Sequence, residues 1–306
     1  MIRSASVAAT LIAGLAGVAG ADAVEGAGTQ GYAWVTNIEG TRAAGMGGAM
    51  TAAADPLDAP FFNPAALGNA GLPEFEIGYR TTFSGAKSAH LSAVQPMGAG
   101  GIGYSIAATS YGALDEVNDT GVPTNRTFTP YTIAGGFSYA IPSGPWMFGG
   151  TTRVLTQSIH ENRSTALALD LGAIWTSAPL AVGAAIRHLG IELDPLVEEK
   201  EALPLTGSIG AMWSEDELSL AADLEYSESA GLLLHAGGEY IYQETLALLL
   251  GYGSVGRDQA FDPSILDGLS IGAAVLLARG MTFRYAATFQ GDLGVGHRAS
   301  MGYSFR

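Results

Sequence analysis

A chain of 306 residues with 48% hydrophobic and only 14% charged side chains carries a formal charge of −15 and no cysteine. The acidic balance argues against nucleic-acid binding, and no disulfide can hold the fold together. Charged residues fall well short of the roughly 25% usual in soluble domains, and the 43 glycines follow no collagen-like period.

The chain opens with Arg3, an apolar run from Val7 to Gly20 and the small-x-small triplet Ala21-Asp22-Ala23. These features predict a cleaved secretory signal peptide over residues 1–23. The apolar run is shorter than the 18 or so residues that a spanning helix needs. Residues 24–73 are rich in glycine and alanine, contain Pro56, Pro60, Pro64 and Pro73, and show no sustained alternation. No strands are expected there.

From residue 74 onward, segments of about ten residues alternate apolar with small or polar side chains, which is the strand signal. Strands are expected over 74–83, 87–95, 100–111, 130–141, 146–157, 164–176 and 179–189. Seven more are expected over 204–213, 217–226, 231–241, 244–252, 267–278, 280–289 and 296–305. In the ninth, Leu218, Leu220, Ala222, Leu224 and Tyr226 share one face, and Glu217, Ser219, Ala221, Asp223 and Glu225 the other. Met281, Phe283, Tyr285, Ala287 and Phe289 alternate in the same way with Thr282, Arg284, Ala286, Thr288 and Gln290.

A soluble barrel turns its large apolar side chains inward and needs a charged exterior. Here one face carries Leu, Ile, Val and aromatics, and the other mostly Gly, Ala, Ser and Thr with scattered charges. The pattern therefore predicts an all-β fold: a transmembrane antiparallel β-barrel of about fourteen strands in an outer membrane, lipid outside and a polar lumen inside. Closure follows, because an open sheet edge would leave backbone groups unpaired in hydrocarbon. The long gaps 112–129, 190–203 and 253–266 alternate with the short ones 96–99, 142–145, 177–178, 242–243 and Arg279. All long loops should thus share one rim, as in membrane barrels. Trp146, Trp175, Trp213, Tyr226, Tyr240, Tyr252 and Tyr303 lie near strand ends, where interfacial girdles form. A barrel of this size encloses more space than its own side chains fill, so residues 24–73 are expected to form a hatch in the lumen.

Ten charged residues have inward parity: Glu76, Arg80, Arg153, Asp170, Arg187, Asp223, Glu225, Glu239, Arg284 and Arg298. An arginine on the lipid face near the midplane costs about 2–4 kcal/mol, which places the set in the lumen. It is expected to form a polar network tying the hatch to the wall or, alternatively, to line a substrate path. Matches to G-x-G-x-x-G at Gly98–Gly103 and Gly251–Gly256 lack the following helix that dinucleotide binding requires. His235 and Glu239 share the inward parity, but four strand positions separate them by about 13 Å, too far for a catalytic hydrogen bond. No metal spacing or nucleophile motif occurs. The chain is expected to use no cofactor and not to be an enzyme.

The stretch TRAAGMGGAMTAAADPLDAPFFNPAALG, Thr41 to Gly68, resembles the N-terminal signature of FadL-like outer-membrane proteins, in particular the PorV/PorQ group. The similarity continues through VGAAIRHLGIEL, EALPLTGSIGAMW and the C-terminal GDLGVGHRASMGYSFR. The resemblance implies a fourteen-stranded barrel with an N-terminal hatch, and marks Arg42, Gly45, Met46, Gly47, Gly48, Asn63, Pro64 and Ala65 as its signature. It further implies an accessory or shuttle role in type IX-like secretion, with secretion components or exported proteins as partners. The alternative it carries is uptake of hydrophobic small molecules, which would need an apolar pocket beside the hatch and a break in the wall. The modest outer loops and the Phe305-Arg306 ending depart from the PorV pattern.

Overall fold

The computed structural model describes residues 31–305 except 38–39, 82–84, 119–120, 196–200, 255–265, 278–279 and 292–293. The expected signal peptide, the first residues of the expected hatch, Arg279 and most of the 253–266 gap lie outside the described residues.

Alternation produces strands wherever it was expected. They are β1 (Glu74–Thr81), β2 (Lys87–Met97), β3 (Gly100–Ser110), β4 (Leu114–Val117), β5 (Pro123–Phe128), β6 (Tyr131–Ser143), β7 (Trp146–Ile159) and β8 (Asn162–Ser177). There follow β9 (Leu180–Asp194), β10 (Thr206–Glu215), β11 (Leu218–Ser227), β12 (Gly231–Tyr242), β13 (Leu246–Gly253), β14 (Leu269–Leu276), β15 (Met281–Phe289) and β16 (Val295–Ser304). Fourteen of them form one closed barrel in which neighbours in sequence are neighbours in space, and β16 returns to pair with β1 from Glu74↔Ser304 to Thr81↔His297. Every barrel pairing is antiparallel. The remaining two, β4 and β5, make a separate hairpin inside the 112–129 connection, where no strand is expected from the sequence. Both are short and rich in polar residues (LDEV, PTNRTF), so no apolar alternation marks them.

The two faces separate cleanly. In β1, Ile77 is 54% exposed on the outer face whereas Arg80 is 6% exposed on the inner one. Leu224, Tyr226, Phe283 and Tyr285 are likewise exposed outward, while Asp223 is buried. The three long connections share one rim, and the other rim carries the tight turns after β2, β6, β8, β10 and β12. β6 to β9 run 13 to 16 residues, β1, β13 and β14 only eight. At about 3.3 Å per residue and a tilt near 45°, a sixteen-residue strand reaches about 37 Å along the barrel axis, well beyond the roughly 25 Å apolar band of a membrane barrel.

The barrel ladder shifts register only between β8 and β9 among the described residues. There Leu171 pairs with Ile186 but Leu169 with Leu189, so Asp170 faces the two-residue bulge Arg187-His188. The bulge reverses the alternation of β9, which hides from the sequence pattern that the strand continues to Asp194, past the expected end at 189.

The buried core is neither wall nor segment alone. It lies between inward-facing wall residues and residues 41–69: Leu57 and Ala65–Leu67 pack with Val94, Ala140, Met147 and Ile174. Met46, Met50, Phe61 and Phe62 pack with Ala107, Ala221 and Leu249.

Candidate functional site

The N-terminal segment meets the wall at two places with different chemistry. At the first, the short helix α1 (Thr41–Gly45) leads into Gly47 and Gly48, both with φ in the left-handed region at 64° and 87°, which only glycine adopts without penalty. This turn lies flat on β12, β13 and β14. A Cβ on Gly251 would sit 2.1 Å from the Gly47 nitrogen, and one on Gly47 would sit 2.3 Å from the Tyr252 nitrogen. Backbone touches backbone here, so both chains must be bare. Polar wall residues satisfy the turn's carbonyls: Ser270 Oγ donates to Gly45 at 3.3 Å, and His235 Nδ1 lies 2.8 Å from the Gly47 oxygen.

Arg42 leaves this turn for Glu239 of β12, with Nη2 donating to Oε2 at 2.7 Å and Nε at 3.2 Å. Its Nη1 donates to the Ala53 carbonyl at 2.9 Å and lies 3.7 Å from Asp58 Oδ2. Burial opposes the Arg42 charge, but Glu239, Asp55 and Asp58 outweigh it and hold its pKa above the usual arginine value. Burial, reinforced by Asp55, pushes the Asp58 carboxyl well above the ordinary carboxylate range against the pull of Arg42.

At the second place, Gly149 and Gly183 also lie against backbone, where a Cβ would sit 2.4 Å from the Pro64 carbonyl carbon and 2.3 Å from the Thr51 oxygen, and side chains reach across as well. Asn63, fully buried, caps the 3-10 turn Pro64–Asn69 by accepting from the Ala65 N–H at 3.1 Å, with Pro64 at the position where a missing N–H costs nothing. Its Nδ2 donates to the Thr51 carbonyl at 2.7 Å and approaches the carbonyls of Ala184 and Ala173 in the wall. Arg153 of β7 donates to the Pro60 carbonyl and, through Nε at 2.6 Å, to Asp170. The other oxygen of Asp170 accepts the His188 N–H at 2.8 Å, satisfying the amide that the bulge removes from the ladder. Arg187, the other bulge residue, donates to the Phe61 carbonyl at 3.2 Å and to Glu225 at 2.5 Å, with its guanidinium 5.8 Å from the centre of the Phe62 ring. Asp223 of β11 accepts the Thr51 N–H at 2.7 Å.

Outside the bulge, on the lipid face, the wall is hollowed. A depression of about 580 Å³ is floored by Ala173, Ala184 and Gly207 and rimmed by Leu171, Ile186, Ile209, Leu224, Tyr226 and Leu232. A Cβ on Gly207 would meet nothing within 4 Å. Near the long-loop rim, Tyr32 bonds Ser164, which donates to Glu192, and Trp34 Nε1 donates to Gln157 at 3.0 Å. Burial, with Glu192 adding to it and the Ser164 bond opposing, pushes the Tyr32 hydroxyl up to about 12.

No protein-family model matches the chain, and no curated protein matches it in sequence. Solved structures do. The Pseudomonas putida toluene transporter TodX superposes with a TM-score of 0.63 at 14% identity, over 87% of this chain and 97% of that one. The Ralstonia pickettii toluene transporter TbuX gives 0.61 at 14%, over 88% and 98%. A Pseudomonas aeruginosa FadL homologue gives 0.57 at 14%, over 87% and 98%. This chain has the fold of the FadL-like outer-membrane barrels. At such identities the likeness is one of fold, and the narrower PorV/PorQ resemblance has no match behind it.

Within this FadL-like barrel the inward charges sort into groups. Arg153 with Asp170, Arg187 with Glu225, and Arg284 with Glu76 at 2.5 Å are wall pairs, the last shared with His90 at 3.4 Å. Glu239 and Asp223 reach the N-terminal segment directly. Arg80 and Arg298 face one another across the β1–β16 ladder. His235 and Glu239 go to different partners, Gly47 and Arg42. Among the described residues no cluster of three or more metal-ligating side chains occurs. Sequence reasoning missed His188, Asp58, Phe61, Phe62 and the Tyr32–Ser164–Glu192 chain. Only Asp58 carried a signal, as one of two acids in an otherwise uncharged segment, Ala43 to Leu72.

Proposed function

We propose that the protein passes small hydrophobic molecules across the outer membrane, with residues 41–69 serving as the plug that gates the lumen. One observation carries the reading: the register break at Arg187-His188, the apolar depression outside it and the Phe61-Phe62 pair inside it coincide at one point of the wall. A solute with no polar groups to satisfy gains from each of these surfaces, at about 25 cal/mol per Å² removed from water. The plug meets that point through side chains, which can rearrange without unravelling the ladder. The fold shared with two toluene transporters supports the same reading. It involves no enzymatic step and no cofactor. The secretion role suggested by the PorV/PorQ resemblance has no comparable observation in its favour.

The test uses the full-length protein in vesicles built with an outer-membrane lipopolysaccharide leaflet. Toluene should equilibrate faster than in protein-free vesicles, and filling the depression with Gly207→Trp should slow it. In planar bilayers the intact protein should conduct ions poorly, and deletion of residues 41–68 should open it. Unchanged toluene flux would sink the transport reading. Recovery of secretion components by affinity capture from the native membrane, together with absent flux, would put the partner-binding reading in its place.

A further inference from the structure

We propose that the passage takes neutral apolar solutes and refuses carboxylates, and that Glu225 sets this choice by neutralising Arg187. The inference rests on the transport reading above and concerns the chemical class of solute at the same point of the wall.

A solute lying against Phe62 meets the guanidinium of Arg187, 5.8 Å from the ring centre. An unengaged guanidinium would hold a carboxylate through two parallel hydrogen bonds. Arg187 is not unengaged. Its Nη2 is bonded to Glu225 at 2.5 Å and its Nη1 to the Phe61 carbonyl at 3.2 Å, with both ionic side chains largely buried, at 8% and 13% exposure. A solute carboxylate would have to share one cation with Glu225 in a poorly solvated site, where two like charges repel far more strongly than in water. Displacing Glu225 instead would leave that carboxylate buried and unpaired.

The surroundings give no relief. Arg153, Arg284 and Arg42 are each bonded to their own carboxylate, Asp170, Glu76 and Glu239. Asp223 adds a further acid beside Thr51, and the chain as a whole carries −15. What Arg187 retains is its Nε, which has no hydrogen-bond partner among the described residues. One N–H suits a single neutral oxygen, as in an alcohol, ketone or ester, and a hydrocarbon leaves it as it is. Glu225 is thus a specificity-determining residue by charge, without needing to touch the solute.

The experiment is equilibrium binding to the full-length protein in lipid nanodiscs, corrected with empty nanodiscs, using 1-decanol, methyl decanoate and decanoate at neutral pH. The two neutral probes should bind at least about tenfold more tightly than decanoate. Glu225→Gln keeps the volume and an acceptor for Arg187 but removes the charge, so the decanol-to-decanoate affinity ratio should fall about tenfold. Adding Arg187→Met to that variant should restore the preference. Equal binding of decanoate and decanol by the unaltered protein overturns this inference while leaving the transport reading in place, and this comparison needs no variant. Binding of none of the three overturns both. An unchanged ratio in an assembled Glu225→Gln protein removes Glu225 as the determinant.

Discussion

The N-terminal segment meets the barrel on two sides that share close glycine contacts but differ in what is added to them. On the β12–β14 side, the Gly47 turn lies against Gly251 and Gly237 with backbone touching backbone. On the β7–β11 side, Gly149 and Gly183 likewise lie against backbone, at Pro64 and Thr51, but Arg153, Arg187 and Asp223 also span the space to Pro60, Phe61 and Thr51. A contact made of glycines has no rotamers and cannot be adjusted; it is made or lost. A contact made of long charged side chains can move while remaining paired, because each guanidinium also holds a carboxylate of the wall. The comparison teaches that the first side holds the segment by close backbone contact, whereas the second adds paired side chains that can move, beside the larger of the two register shifts among the described residues, both of which lie between β8 and β9.

The sharpest way to break this contrast is Asp170→Ala. It leaves Arg153 buried without its carboxylate and the His188 amide without an acceptor. Removing one partner of a buried pair costs about 3–5 kcal/mol. The midpoint of urea unfolding in lipid vesicles should fall accordingly, and amide exchange should speed up at His188 but not at Tyr252. Equal acceleration at both would mean that the two sides are not independent.

Gly251→Leu attacks the anchoring side. Its side chain cannot coexist with Gly47, and overpacking of this kind costs about 1–3 kcal/mol. We expect limited proteolysis to cut within residues 41–69 while the barrel keeps its heat-resistant mobility on gels. The β8–β9 bulge should be unaffected.

A smaller effect sharpens the link between the two sides through Asp58. Its native pKa is raised by burial and by Asp55, so the folded protein binds this proton more tightly than the unfolded chain, whose carboxyl titrates near about 4. The Asp58 contribution is then most favourable below the unfolded value and is lost as pH rises through the raised native value. The thermal midpoint of the native protein should gain more than that of Asp58→Asn when pH is lowered from about 7 to about 5. Identical pH profiles would show that Asp58 does not titrate in place. The smallest effect belongs to the rim. Tyr32→Phe should cost about 1 kcal/mol, and equally at pH of about 7 and about 9, because a hydroxyl held at about 12 stays protonated throughout.

What the sequence determined by itself was the wall. A period of two is written in consecutive residues, and the penalty for charge against lipid forces each strand to one orientation, so the strand count, closure, the faces of Leu224 and Asp223 and the shared rim of the long loops were legible. The segment packed inside it was legible only as an absence of strands and as the signature from Arg42 to Ala65. Its partners were not, since Arg42 and Glu239 stand 197 positions apart and nothing periodic connects them. The bulge was hidden as well: one extra residue in β9 reverses the alternation and makes Gly190-Ile191-Glu192 read like the start of a loop. Which inward charge pairs with which, and which glycine meets which backbone, became fixed only when the closed barrel brought strands far apart in the chain around a common lumen. Such contacts depend on distances across the barrel, and no local pattern encodes them.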